Sequence, residues 1–299
     1  MNLTAPSPNA PTVDKSVYDR DGYLCPVRVM PEGEMAEIRH RLETYLARAK
    51  RDPKDDLLLH FKVHMAFTWA DALIRHPVVL EAVETLIGPD ILVWNTAVMM
   101  KNSHQPDFVS YHQDVLYWGN HPDHVVGAWI ALNDSTSEKG CVRVFPGSHK
   151  LGILPHTDTF GKDNMLSRGQ AVSTELDHSK STEMVLRAGE MSLHHTRTVH
   201  GSQPNRSDEA RLGFVITFMA PATTMMGPRT GATLVRGADN YGHFDLEDSR
   251  PAADLDAAAL AAHDVAMGPF AAAINVGAQQ DGRMSPARVA DYESRKSAT

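Results

Sequence analysis

Residues 110–119 read Ser-Tyr-His-Gln-Asp-Val-Leu-Tyr-Trp-Gly, which places an imidazole, His112, and a carboxylate, Asp114, two positions apart among strand-forming residues. Side chains of an extended strand alternate faces, so His112 and Asp114 are expected to project together while Gln113 points away. Two such donors can hold a divalent metal, but they also suit the wet face of an ordinary strand. A third ligand decides between these uses. Two histidines and one carboxylate on one face of a metal leave positions open for oxygen chemistry, as in non-haem Fe(II) oxygenases.

His121, His124, His149, His156, His178, His194, His195 and His200 all lie downstream, and spacing alone does not choose among them. The surroundings of His200 do. Gly201 and Ser202 follow it and read as a strand ending in a turn, and Arg211 opens the next apolar run. An antiparallel return of that length is expected to bring Arg211 alongside the strand of His200. A guanidinium inside a β-barrel is costly unless an anion meets it, and its planar fork suits a carboxylate. One segment therefore supplies a third ligand and a carboxylate anchor. By strand parity His194 faces the same way as His200 and His195 the opposite way; the His-Gly-Ser-x-Pro-Asn context and the spacing to Arg211 select His200 as the ligand, and His194 is read as a pocket residue or one that supports a ligand.

These residues need a scaffold. Residues 1–14, rich in Pro, Ala, Ser and Asn, read as a flexible tail, and 15–299 as a single domain. Residues 21–29 read as a turn and a short strand. Residues 31–50 form a helix with Met35, Ile38, Leu42, Tyr45 and Leu46 on one face, and 76–90 form another, ended by Gly88-Pro89. From residue 90 the texture becomes short apolar runs broken by Gly, Pro, Asn and Asp: 90–101, 110–118, 124–134, 141–149, 183–195 and 211–221. The fold class is mainly β with flanking helices, a sandwich or jelly roll under an N-terminal helical layer. Its core spans about 90–221. The polar stretch 150–182 reads as a lid loop, and 222–299 as a C-terminal extension with an Ala-rich helix near 254–266.

Composition narrows the partners. The 299-residue chain carries a formal net charge of −8, which argues against nucleic acid or an anionic membrane as partner and leaves a small-molecule substrate. Two cysteines, Cys25 and Cys141, exclude a disulfide scaffold. The first residues lack the pattern of a secretory signal, and no long apolar run for crossing a membrane is expected, so the reading is cytoplasmic. The Ala-rich C-terminal region is a candidate homodimer surface.

Taken together, YHQD, AWIALND, KGCVRVFPGSHK, LRAGEMSLHH and VHGSQPNRSDEAR resemble the phytanoyl-CoA dioxygenase family over about residues 18–220. The resemblance implies a double-stranded β-helix that uses Fe(II), 2-oxoglutarate and O2. It implies His112, Asp114 and His200 as iron ligands and Arg211 as the partner of the distal 2-oxoglutarate carboxylate, with Ser202 and Trp129 lining that pocket. Lys101 falls where members often carry a lysine, with its role left open. Relatives that chlorinate carbon have a small residue at the carboxylate position. Asp114 therefore points to hydroxylation or a related C–H oxidation rather than halogenation. A zinc hydrolase or a non-catalytic metal-binding jelly roll would use the same three ligands without needing Arg211. Tyr117 and Trp118 either line the substrate pocket or pack the sheet.

Overall fold

A computed structural model describes residues 13–49, 56–119 and 121–278; the expected tail falls outside these residues but for Val13 and Asp14, and the closing stretch after 278 lies outside entirely. The N-terminal part is helical: α1 (Lys15–Asp21), α2 (Glu32–Arg48), α3 (Leu57–His60), α4 (Val63–Ala66), α5 (Thr68–Ile74) and α6 (Pro77–Ile87), with β1 (Tyr23–Arg28) between the first two. Then follow β2 (Ile91–Lys101), β3 (Val109–His112), β4 (Val125–Ala131), β5 (Val142–Val144), β6 (His156–Asp158), β7 (Gln170–Val172), β8 (Thr182–Met184), β9 (Glu190–His195), β10 (His200–Ser202), β11 (Arg211–Met219), β12 (Gly231–Arg236) and β13 (Asp245–Leu246), before α7 (Ala257–Ile274).

Among the described residues the strands form a large sheet, β1-β9-β4-β11-β2-β12-β13, and a smaller one, β3-β10-β5-β8. This is the expected mainly-β, jelly-roll architecture. Alternation divides the large sheet into two faces. Val126, Ala128 and Ile130 of β4, Met191 and Leu193 of β9, and Leu212, Phe214, Ile216 and Phe218 of β11 point to the helices, where Met35, Ile38, Leu42, Trp69 and Val83 complete the core. The intervening positions, including Gly127, Trp129, Ser192, His194, Arg211 and Gly213, face the interior between the sheets. Trp69 packs edge-on against Phe214, with ring centroids 5.3 Å apart. The helical layer thus holds the large sheet by its apolar face and leaves the polar interior positions free for chemistry.

Several expectations are corrected. His200 begins a strand rather than ending one, and the residues read as a turn, Gly201 and Ser202, continue it. Residues 183–195 form two strands, because Gly189, at φ +81°, turns the chain between β8 and β9. The large sheet takes in β1 and β12, from either side of the span read as its core; both are short, and β12 lies among Gly and Thr residues that hide its periodicity. The stretch 150–182 is not irregular throughout, since β6 and β7 pair as an antiparallel hairpin. α7 is long and apolar enough to cross a membrane by length and composition, contrary to the expectation that no such run exists. Its alanines and Gly268 count as apolar without looking like a hydrophobic stripe. In the fold, Met267, Phe270, Ala271 and Ile274 pack with Leu92, Trp94 and Trp118.

Candidate metal centre and co-substrate pocket

β3 ends at His112. Gln113 keeps an extended backbone (φ −120°, ψ 137°), and Asp114 opens a 3-10 turn, Asp114–Tyr117. Alternation therefore carries one residue past the strand, and the expected common direction of His112 and Asp114 survives although Asp114 is not in a strand. Gln113 is a buried strut on the other side. Its Nε2 donates to Gly152 O (2.9 Å) and Arg197 O (2.6 Å), and its Oε1 accepts from Leu154 N (2.8 Å). His200 is the direct cross-strand partner of His112, with ring centroids 4.3 Å apart. His112 Nε2 lies 3.2 Å from Asp114 Oδ1, and His200 Nε2 lies 3.9 Å from Asp114 Oδ2. One donor atom from each of the three falls within 4.8 Å of the others.

The hydrogen bonds behind the rings set their tautomers. His112 Nδ1 donates to Ser110 O (2.9 Å) and His200 Nδ1 donates to Thr198 O (3.0 Å), since a carbonyl can only accept. Each ring then turns a bare Nε2 toward the carboxylate. Burial, and then the adjacent imidazoles, bring the His200 pKa down to about 3, which keeps its ring neutral at neutral pH. Burial acts to raise the Asp114 pKa, but the imidazoles around it, His200 first and then His112 and His194, outweigh it and hold the carboxyl well below its usual range. Two nitrogen lone pairs facing an ionised carboxylate are mutually repulsive until a cation sits among them. The donor set fits a divalent metal of the two-histidine, one-carboxylate type.

Arg211 does not lie alongside the His200 strand, as expected, but in the opposite sheet. There it pairs in register with Lys101 on β2, and β11 also pairs with β4. The segment after His200 crosses from one sheet to the other instead of doubling back. The outcome for chemistry is the same, because Arg211 points inward. Its guanidinium sits 5.1 Å from the Trp129 ring centroid, and its Nη1 donates to Gly140 O. Its Nε is buried with no hydrogen-bond partner, and among the described residues no carboxylate pairs with it. Burial lowers its pKa to about 10. Lys101, fully buried, donates from Nζ to Ser202 Oγ (2.6 Å) and to Gln203 O. Burial, and then Arg211, bring its pKa down to about 6, against the opposing pull of Asp107. Arg211, Trp129 and Ser202 are thus brought to one place, as expected. Lys101, whose role the sequence left open, joins them. Gly213 makes the stack possible, because a Cβ there would collide with the Trp129 indole.

His194 and His195 divide as expected, because alternation along β9 sends them to opposite faces; the parity does not carry on to His200, since a turn separates β9 from β10. His194 points at Asp114 (Nε2–Oδ2 3.3 Å), and His195 points away to Asp123 (3.1 Å). Trp118 is buried in packing, while Tyr117 reaches the interior and donates to Gln170 Oε1 (3.0 Å). Tyr117 and Leu116, just after Asp114, line a cavity of about 750 Å³ with His156, Asp158, Arg168 and Gln170 of the 150–182 segment and Val276 after α7. Met226 lines the same cavity, whereas Met219 packs in the core. Arg229 and Arg236 are held outside by Asp245 (2.7 Å) and Glu84 (3.0 Å).

Fold and site define a double-stranded β-helix oxygenase, in which a metal position and a basic pocket share one interior. The phytanoyl-CoA dioxygenase family model matches residues 18–213, and the chain belongs to that family. It is 26% identical over 279 residues to the L-proline trans-4-hydroxylase of Streptomyces griseoviridis, covering 84% of this chain and 98% of that one. Among solved structures, it resembles the apo form of the non-haem monooxygenase ThoJ at 31% identity and TM-score 0.78, over 88% and 97% of the two chains. It also resembles the epimerase SnoN in complex with Fe3+, alpha-ketoglutarate and nogalamycin RO, at 25% identity and TM-score 0.56, over 71% and 84%. The chain is an Fe(II)- and 2-oxoglutarate-dependent oxygenase that consumes O2 and acts on a small molecule.

Proposed function

We propose that the protein hydroxylates a C–H bond of a small organic substrate, with His112, Asp114 and His200 holding Fe(II) and Arg211, Trp129, Ser202 and Lys101 holding 2-oxoglutarate. The observation that carries this reading is the partnerless Arg211 Nε, buried beside the Lys101 amine in the same interior as the two-histidine, one-carboxylate cluster. A metal-binding protein without the co-substrate, or a zinc hydrolase, has no use for a buried guanidinium whose burial cost only an anion offsets.

When bound, iron and 2-oxoglutarate supply oxygen activation coupled to decarboxylation to succinate. The chain's own part is positioning. Ser110 and Thr198 carbonyls aim the imidazoles, and Gln113 locks the segment carrying His112 and Asp114. Arg211 offers a fork to a carboxylate, and the Trp129 face supports it. The cavity bounded by Tyr117, the β6–β7 hairpin and the end of α7 is the substrate chamber in this reading, and the hairpin serves as its cover. Arg168 ties that cover down: Nε and Nη2 donate to Asp158 Oδ2 (2.9 and 2.6 Å) and Nη1 donates to Val276 O (2.9 Å). Asp114 occupies the carboxylate position, which supports hydroxylation or a related C–H oxidation over halogenation. The net negative charge supports a small organic substrate over a polyanion.

The test is a substrate screen. Fe(II)-loaded protein is given 2-oxoglutarate and panels of free amino acids, acyl thioesters and polyketide-like compounds, with succinate followed by mass spectrometry. Hydroxylation is established by succinate release matched by a product 16 mass units heavier (about one oxygen atom, by the insertion chemistry of this cofactor class). Chloride incorporation instead, or hydrolysis without succinate, would contradict it.

A further inference from the structure

Three imidazoles crowd the Asp114 carboxylate, and their hydrogen bonds divide them into two kinds. His112 and His200 each spend Nδ1–H on a backbone carbonyl and turn a bare Nε2 inward. His194 has no such carbonyl: its Nδ1 is buried with no partner, and its Nε2 lies 3.3 Å from Asp114 Oδ2. A carboxylate oxygen only accepts, so a hydrogen bond here requires the proton on Nε2. The opposite tautomer would bury an unsatisfied N–H at Nδ1 and set a lone pair against the carboxylate. Both are unfavourable. His194 therefore donates through the nitrogen that faces the site and cannot ligate a metal through it in the same state.

We infer that His194 is a positioning residue for Asp114. It holds Oδ2 with an N–H donor so that the carboxylate presents Oδ1, beside His112 Nε2, as its ligating oxygen. The inference rests on the assignment of His112, Asp114 and His200 as the metal ligands. Asp114 needs such a partner because it opens a 3-10 turn and its side chain is 35% exposed, so packing alone does not fix its rotation. His194, at 6%, is firmly held and stands on a different sheet. It is the cross-strand partner of Gly127, and a Cβ at that position would collide with the His194 ring. The absent side chain on β4 is the slot through which the imidazole reaches the carboxylate. Outer groups that orient a ligand in this way commonly change metal affinity 10- to 100-fold, on the order found for ligand-orienting hydrogen bonds generally.

The test uses the metal-free full chain titrated with Co(II), reading the dissociation constant by calorimetry and the visible ligand-field bands by absorption. His194→Phe, which fills the space without a donor, is expected to weaken Co(II) binding roughly 10- to 100-fold and to shift the bands. His194→Gln, which restores an N–H donor, is expected to recover most of the affinity and the wild-type bands. Gly127→Ala, which keeps every donor but displaces the ring, is expected to weaken binding in the direction of the Phe variant and serves if that variant fails to fold. Wild-type affinity and bands in His194→Phe would overturn the inference. So would a Gln variant as impaired as the Phe variant, since His194 would then be acting as a ligand or as packing. His112→Ala is the reference: if it keeps wild-type Co(II) affinity, the ligand assignment itself is wrong, which is a separate failure from an indifferent His194.

Discussion

Lys101 and Arg211 are register partners on adjacent strands, and both are buried to within 1% of full coverage. Two neighbouring basic groups in a dry interior lose their hydration and would repel each other if both were charged, so the fold resists protonation of Lys101 beside Arg211. In the proposed function, a dicarboxylate co-substrate relieves it. The depressed pKa of Lys101, about 6 against an ordinary 10.5, reports the size of the conflict.

This gives a pH dependence of known sign. Between about 6 and 10.5 the unfolded lysine binds a proton that the folded one does not, so stability rises with pH across that window. With 2-oxoglutarate bound, the carboxylate favours the charged lysine, and the slope flattens. Thermal unfolding between pH 6 and 9, with and without 2-oxoglutarate on metal-loaded protein, checks this. Parallel curves would separate Lys101 from the co-substrate pocket.

Asp114→Gly removes the only carboxylate of the three-residue cluster. Hydroxylation is expected to vanish and metal affinity to fall, with little loss of fold stability, because the position lies on a turn at the edge of the interior. A variant with full turnover would refute Asp114 as a ligand.

Gly213→Ala acts on Arg211 without touching it. The new methyl group displaces the Trp129 indole and tilts the support under the guanidinium. KM for 2-oxoglutarate is expected to rise about tenfold, on the scale of a partly desolvated cation–π contact plus misalignment. Arg211→Met is expected to raise it further, by about 30-fold or more, since a buried charged hydrogen-bond partner is lost outright. Steady-state kinetics at saturating substrate, or direct binding under anaerobic conditions, read both. An unchanged KM in Arg211→Met would remove the anchor from the account.

Arg168→Ala breaks the bonds to Asp158 inside the β6–β7 hairpin and the bond that ties the hairpin to Val276 after α7. Amide exchange over 156–172 is expected to accelerate while 2-oxoglutarate affinity stays at the wild-type value, because Arg168 is remote in the fold from Arg211. Protection unchanged across the hairpin would mean that other contacts hold the cover.

The residues of the candidate site were legible in the sequence because each announces itself locally: an HxD pair within a strand-like run, a histidine before Gly-Ser, an arginine opening an apolar strand. Their mutual placement was less so. Arg211 was expected beside the His200 strand, but the connecting residues 203–210 cross between sheets, and nothing in their composition distinguishes a crossing from a hairpin. The inward direction of His194 follows from alternation along β9, but its meeting with Asp114 across the sheets and the space left by Gly127 depend on tertiary contacts. β12 escaped notice because half of it is Gly, Ala and Thr, and the apolar length of α7 was hidden by alanines. Alternation along one strand is readable from sequence, but which strand lies opposite depends on tertiary contacts.

The central claim is that one interior holds Fe(II) through His112, Asp114 and His200 and 2-oxoglutarate through Arg211. Anaerobic titration of 2-oxoglutarate into the Fe(II)-loaded protein tests it most directly, because chelation of iron by the keto acid produces a visible metal-to-ligand charge-transfer band. The account predicts a saturable band in the wild-type protein. In Arg211→Met the band should need far higher 2-oxoglutarate, and in His200→Ala it should be lost. No band in the wild-type protein, with zinc retained through purification, would contradict the account.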